Sequence, residues 1–381
     1  MSAVRREALR RWSLVGAGVA LLCLLPTALG LRPSRAADAD PARLRALILA
    51  SAVRPYQGYA DSRGEIQLPA LPALGEVTTL FGATTRIRAW YASLQSWRVA
   101  VLDQTGERDT YRTADGTYVW DFERNLVTYI AGEQPLRLPG ASDLLPPDLA
   151  RRLLGGAGAA DSLIPLPSRR VAGVDAAGLR LTPTDLEITI GRVDVWADPT
   201  TGLPVQVEVA SRESAATIFV SRFLDLDQRT PDAGLLTPVL ADSAGLTVTT
   251  AQDVATAING VAPVDMPASL AGRPRTANPV AGVDLAGVGA YGTGLSTFVV
   301  VALPGRVGSQ ALQAARDKGG TAVTFVGGQG YETRASLIGG LVVRSDGDRR
   351  TRRTFVLAGP VSAEVLRRAG AELLAAGAGT R

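Results

Sequence analysis

The chain has 381 residues, 46% of them hydrophobic and 20% charged, enough to bury sizeable cores in two domains. It contains no histidine, and its single cysteine, Cys23, lies in an N-terminal apolar run. Serine–histidine and cysteine–histidine nucleophile systems, and most zinc sites, are thereby excluded. The formal charge of +4 points to nucleic acid only until its placement is considered. Residues 1–37 carry six Arg and one Glu, leaving 34 basic and 35 acidic residues in the body. A near-neutral body has no electrostatic claim on nucleic acid, which is not expected as a partner.

In chain order, Arg5, Arg6, Arg10 and Arg11 precede an uncharged stretch from Trp12 to Leu31. Its most apolar part, 14–25, has the length of a signal-peptide core, and Cys23 is an ordinary residue of it. Ala28-Leu29-Gly30 and Ala37-Asp38-Ala39 both approximate a small-x-small cleavage site. Uncleaved, the stretch is just long enough to span a bilayer of ~30 Å, with the arginines left in the cytoplasm. Residues 1–37 are therefore read as a signal peptide or N-terminal membrane anchor. The body is expected at the extracytoplasmic face of the cytoplasmic membrane, tethered by this helix or released by cleavage.

Residues 41–53 have helical spacing, with Leu44, Leu47 and Ile48 on one side. Strands are expected at 56–63, 84–92, 97–102, 108–113, 117–122 and 126–130, with a loop at 68–82. Asp115-Gly116 marks a hairpin. Pro146-Pro147 starts a short helix at 148–154. Residues 169–209 hold the clearest pattern, with strands at 191–197 and 204–209 joined by Asp198-Pro199-Thr200-Thr201-Gly202. Val193 and Val195 alternate with Asp194 and Trp196, and Val205, Val207 and Val209 with Gln206 and Glu208, as in a sheet with one buried face. A strand at 217–226 completes about ten consecutive antiparallel strands, enough for one large curved sheet or half-barrel. A helix is expected at 251–258, and Pro263, Pro267, Pro274 and Pro279 punctuate a segment with little periodicity. Beyond it, strands at 298–303, 321–326, 337–344 and 354–357 and helices at 309–318 and 362–375 form a small α+β domain. The expected organisation is a half-barrel domain at 41–230, a linker at 231–260 and a smaller domain at 261–381. The fold class is α+β, a large antiparallel half-barrel with covering helices followed by a smaller α+β domain.

No residue set supports catalysis, a metal or a cofactor. Asp225 and Asp227 share a strand end, where paired acids are ordinarily solvated. Asp346-Gly347-Asp348 lacks the further oxygen ligands of a metal loop. Gly292-Thr293-Gly294 and Gly327-Gly328-Gln329-Gly330 lack the context of a phosphate-binding turn. Arg349, Arg350, Arg352 and Arg353 form a dense basic cluster, either a solvated hairpin tip or a contact for anionic lipid head groups or an acidic partner. Alternation places Ile87, Tyr91, Val99, Val101, Tyr118, Trp120, Val193, Val195 and Val207 on inward faces. That face is either a filled core or the wall of a pocket for a hydrophobic ligand.

The segment 169–209 also resembles the LolA-type fold as it occurs in RseB/MucB proteins, extracytoplasmic regulators of sigma-E signalling. The resemblance rests on Arg170-Val171-Ala172-Gly173 with Leu179-x-Leu181-x-Pro183, and on Val195-Trp196-Ala197-Asp198 with Thr201-Gly202-Leu203-Pro204. Tyr56-x-Gly58-Tyr59 and Trp97-Arg98-Val99 are similar to earlier strands of that family. Tyr291-Gly292-x-Gly294-Leu295-x-x-Phe298-Val299-Val300 and Phe355-Val356-Leu357-Ala358-Gly359-Pro360 are similar to parts of its C-terminal domain. The motifs follow in matching order over most of residues 50–375. The resemblance implies an eleven-stranded half-barrel with helices against its concave side, and binding without catalysis. The implied partner is a membrane anti-sigma factor or similar single-pass membrane protein, with a lipid or lipoprotein as ligand. A lipid or lipoprotein carrier is the alternative. The chain departs from the family in its alanine-rich, histidine-free composition and in the arginine-bearing hairpin 346–353.

Overall fold

The computed structural model describes residues 39–64, 80, 84–102, 106–132, 140–239, 244–250, 264–276, 287–334, 337–348 and 352–378, with Val19 alone before them. The N-terminal apolar stretch and the helix expected at 251–258 lie outside the described residues, as does the 68–82 loop apart from Leu80. Among the described residues no helix is long and apolar enough to cross a membrane.

Helix α1 (Pro41–Ala50) is capped by Asp40, whose side chain accepts from the Arg43 amide at 2.9 Å, with proline at its first position. Strands β1 (Tyr56–Gly64), β2 (Thr84–Ser93), β3 (Ser96–Leu102), β4 (Glu107–Thr113), β5 (Gly116–Asp121) and β6 (Leu126–Ala131) follow. Helix α2 (Pro146–Gly155) precedes β7 (Ser162–Val171), β8 (Val174–Thr182), β9 (Ile190–Ala197), β10 (Pro204–Ser211) and β11 (Thr217–Asp227). These eleven strands pair antiparallel in the order β6-β5-β4-β3-β2-β1-β11-β10-β9-β8-β7, and β12 (Gly245–Thr250) adds a twelfth, parallel to β6. Closure of the order through β1 and β11 brings the two ends of the half-barrel segment together at the centre of the sheet.

Helices α1 and α2 cover one face. Leu44 and Ile48 of α1 and Ala150 and Leu154 of α2 are buried against Leu179, Leu181, Val193, Val195, Val205, Val207 and Phe223. The Arg45 guanidinium donates to the Leu154 carbonyl at 2.9 and 3.1 Å, tying the two helices together. The turn between β9 and β10 packs beneath α1. Gly202 there has φ +73°, and a side chain would collide with the backbone of Leu47. Glycine is thus required twice over, by conformation and by space.

The second sheet contains β13 (Ser269–Leu270), β14 (Arg273–Thr276), β15 (Val288–Tyr291), β16 (Phe298–Leu303), β17 (Thr321–Phe325), β18 (Gly328–Arg334), β19 (Gly339–Ser345) and β20 (Thr354–Gly359). Their order is β13-β14-β15-β16-β20-β19-β18-β17, all antiparallel. Helix α4 (Ala363–Ala378) buries Val365, Leu366, Ala369 and Leu373 against one face. Helix α3 (Gly305–Asp317) buries Ala311, Leu312 and Ala315 against Val342 on the other. The molecule is α+β, a large antiparallel sheet covered by helices followed by a smaller α+β unit.

Candidate functional site

Strand register decides which residues face the helices. Cross-strand partners share a face, and a one-residue step reverses it. Val207 pairs with Val195 and Val209 with Val193, while Leu179 pairs with Val195. On the other half, Tyr56 pairs with Tyr91, Ala60 with Ile87, Ala89 with Val99 and Ile87 with Val101. Ile87, Tyr91, Val99, Val101, Val193, Val195 and Val207 therefore share the concave face. Tyr118 and Trp120 do not. They pair with Tyr111 and Asp109, which pair in turn with Arg98 and Ala100 on the convex side. The expectation for these two aromatics is corrected: β5 turns Thr117, Val119 and Asp121 inward, and aromatic character did not mark the face. Tyr118 packs at a tilt of 30° against Tyr129 and Trp120 stacks on Phe122, with centroids 4.5 and 4.3 Å apart.

Of the inward residues, Ile87, Val193, Val195 and Val207 are fully buried in the packed core. Tyr91 and Val99 instead line a cleft of about 220 Å³ between β1–β4 and the start of α2, together with Tyr56, Trp97, Leu145 and Asp148. Tyr56 stacks on Tyr91 at 5.1 Å and meets Phe223 edge-on at 5.6 Å. The Tyr91 hydroxyl donates to the Ala52 carbonyl at 2.6 Å. The Tyr56 hydroxyl is buried without a hydrogen-bond partner among the described residues. Burial, and next the charge of Asp148, push it well above the usual tyrosine range. Burial also raises the Asp148 carboxyl, with Arg151 pulling the other way. The cleft is smaller than the ~300–1,000 Å³ of ordinary small-molecule sites.

A second cavity, of about 330 Å³, lies between the two sheets. It is lined by Leu186, Ile188 and Glu213 on one side and by Gly340, Val361 and Leu366 on the other. The loop joining β8 to β9 builds its wall and also binds the domains together. The Arg212 guanidinium donates to the carbonyls of Ile188 and Pro183, both at 2.9 Å, holding the loop from the first domain. Across the junction, Thr189 of this loop donates its amide to the Pro360 carbonyl at 3.0 Å, and the Ser362 amide donates to the Glu187 carbonyl at 2.7 Å. The Glu187 carboxylate takes Arg273 at 3.0 Å and Arg368 at 2.5 Å, and Arg273 also reaches Asp185 at 3.2 Å. At a separate junction Gly294, φ +55°, lies so close to the Gly156 carbonyl that any side chain would clash. Asp185, Glu187 and their partners Arg273 and Arg368 were not picked out from sequence. The available signal was Asp185-Leu186-Glu187, two acids and an apolar residue in a connecting loop.

The basic cluster is only partly placed. Arg349 and Arg350 lie outside the described residues, Arg352 donates to the Gly347 carbonyl at 2.8 Å, and the Arg353 amide bonds Ser345 at 2.9 Å. Asp227 is held by Arg229 and Gln57, and hydrogen bonds from them keep its carboxyl well below the usual range. Among the described residues no group of three or more His, Cys, Asp or Glu is placed to hold a metal.

No protein-family model and no curated protein matches the chain. Among solved structures it is similar to MucB in complex with MucA(peri), at 15% identity and TM-score 0.48, over 87% of this chain and 97% of that one. It is similar to the Pseudomonas aeruginosa MucA/MucB complex at 16% identity and TM-score 0.47, over 87% and 96%. It is also similar to a LolA superfamily protein from Nitrosomonas europaea at 14% identity and TM-score 0.25, over 53% and 99%.

Proposed function

We propose that this chain is an extracytoplasmic binding protein that grips the external segment of a membrane anti-sigma factor or similar single-pass membrane protein. The observation that carries the reading is the groove of about 330 Å³ between two domains locked by the Glu187 contacts. A groove with walls from both domains suits a protein segment that touches both, and Leu186, 78% exposed beside Glu213, offers it an apolar contact next to a charge. The ordered motifs that resemble RseB/MucB proteins across both halves of the chain and the export-type N-terminus support the same reading. Regulation of sigma-E-type signalling in response to a lipid-like ligand belongs to this proposal.

A lipid or lipoprotein carrier is the second reading, favoured by the aromatic cleft and the unpartnered Tyr56 hydroxyl. Its weakness is volume, since α1 and α2 fill the concave face over β7, β8, β10 and β11 and the aromatic cleft is only about 220 Å³. Native mass spectrometry of the protein extracted from its source membrane separates the two. A bound polypeptide segment is expected; bound lipid with no polypeptide would replace the first reading by the second.

A further inference from the structure

Strand β17 ends the second sheet, and among the described residues it pairs only with β18. With the adjoining turn residue it reads Thr321-Ala322-Val323-Thr324-Phe325-Val326, uncharged, free of proline and rich in strand-forming residues. Val326 is 100% exposed. The contrast is β7, the edge of the first sheet, which carries Pro165, Pro167, Arg169 and Arg170. Prolines and charges are the devices by which edge strands avoid pairing with other chains, and β17 has none of them.

The hairpin geometry defines which groups β17 offers. Its connection to β18 is the two-residue loop Val326-Gly327, so Phe325 and Gly328 form the hydrogen-bonded pair next to the turn. Thr324 and Ala322 then direct their N–H and C=O groups away from β18. We propose that this edge pairs with the same edge of a second copy, antiparallel across a two-fold axis at Val323. In that register Ala322 faces Thr324 of the other copy, Val323 faces Val323, Thr321 faces Phe325, and Gly319 faces Gly327. Glycines at 319–320 and 327–328 leave both flanks free of side chains. Exposed Lys318 comes beside the exposed Asp346 of the mate, whose amide bonds the Gly327 carbonyl at 2.8 Å. The contact is isologous, so opposite charges meet at both ends and like charges at neither of these two positions. A strand pair of this length buries less than the ~1,200 Å² of a stable interface, so the association is weak and favoured by crowding at a membrane surface.

Cross-linking of the full chain in its membrane, in a Cys23→Ser background, tests the arrangement. Facing residues of a non-hydrogen-bonded pair are close enough for a disulfide, so Val323→Cys should give an oxidised dimer at least about tenfold faster than Val326→Cys. Adding Thr324→Glu should abolish the product, and mixing Thr324→Glu with Thr324→Lys chains should restore it. Equal rates at 323 and 326, no product at 323, or a product that Thr324→Glu leaves unchanged would each overturn the proposal. In those cases the edge is left for an extended peptide of a different chain.

Discussion

On its concave side the first sheet presents Val193, Val195, Val207, Leu179, Leu181 and Phe223 to two helices. One residue along each strand, its convex side presents Asp194, Trp196, Glu208, Arg180, Asp61 and Asp109. Both faces bury much of what they carry, by different physics. The concave face removes apolar area from water, worth about 25 cal/mol per Å². The convex face buries carboxylates and must match each with a cation. Asp194 receives Arg180 through two bonds of 2.6 and 2.7 Å, with Arg192 at 3.4 Å. Asp61 holds Arg63 and Arg222 at 2.9 and 3.0 Å, and Asp109 holds Arg98 at 2.6 Å. Arg169 bridges Glu208 at 2.7 Å and lies 3.7 Å over the Trp196 ring. The lesson is that a strand residue's burial does not report its face; the chemistry of its cross-strand neighbours does.

Breaking the concave side should cost most. Val195→Asp places an unpaired carboxyl in a dry core and should remove ~4 kcal/mol or more, leaving no cooperative unfolding transition in urea. Leu154→Ala leaves a cavity under α2 and should lower stability by about 2–5 kcal/mol in the same titration. On the convex side, Asp194→Asn keeps the shape but leaves Arg180 and Arg192 with a neutral acceptor. A loss of about 1–3 kcal/mol is expected, moderated because Arg180 is one-third exposed to water.

Asp109 sharpens the comparison through pH. Burial raises its carboxyl to about 6, against the opposing pull of Arg98. A folded value above the unfolded one means the folded state holds the proton more tightly. Stability should therefore fall as pH rises from about 4 to about 6, by roughly 1–3 kcal/mol, and change little from this group above that. Asp109→Asn should flatten this slope in denaturation curves taken across that range; a slope that persists would locate it elsewhere. The smallest effect is expected for Arg169→Ala, about 0.5–1 kcal/mol from the lost contact with Trp196, read as a modest shift in midpoint.

Much of the architecture was legible in the sequence. Period-2 alternation at 191–197 and 204–209 marked β9 and β10, the Asp198–Gly202 run marked their turn, and Pro146-Pro147 marked the start of α2. These are local rules of backbone geometry, and each acts within a few residues. The candidate site was legible only in part. Tyr91 and Val99 line the cleft, but Val193, Val195 and Val207 belong to the filled core, and Tyr118 and Trp120 face outward.

What the sequence alone determined was therefore the kind of element over most of the first sheet and the alternation along its clearest strands, while β12, β15 and β18 carried no such mark. The absence of histidine and the neutral body also followed from it directly. Tertiary structure decided which side of each strand the helices cover, since that depends on pairing register between distant segments. It decided that β12 runs parallel beside β6, and that Glu187 meets Arg273 and Arg368, 86 and 181 residues away. Such contacts form only when the chain has closed its long loops, and no local pattern encodes them.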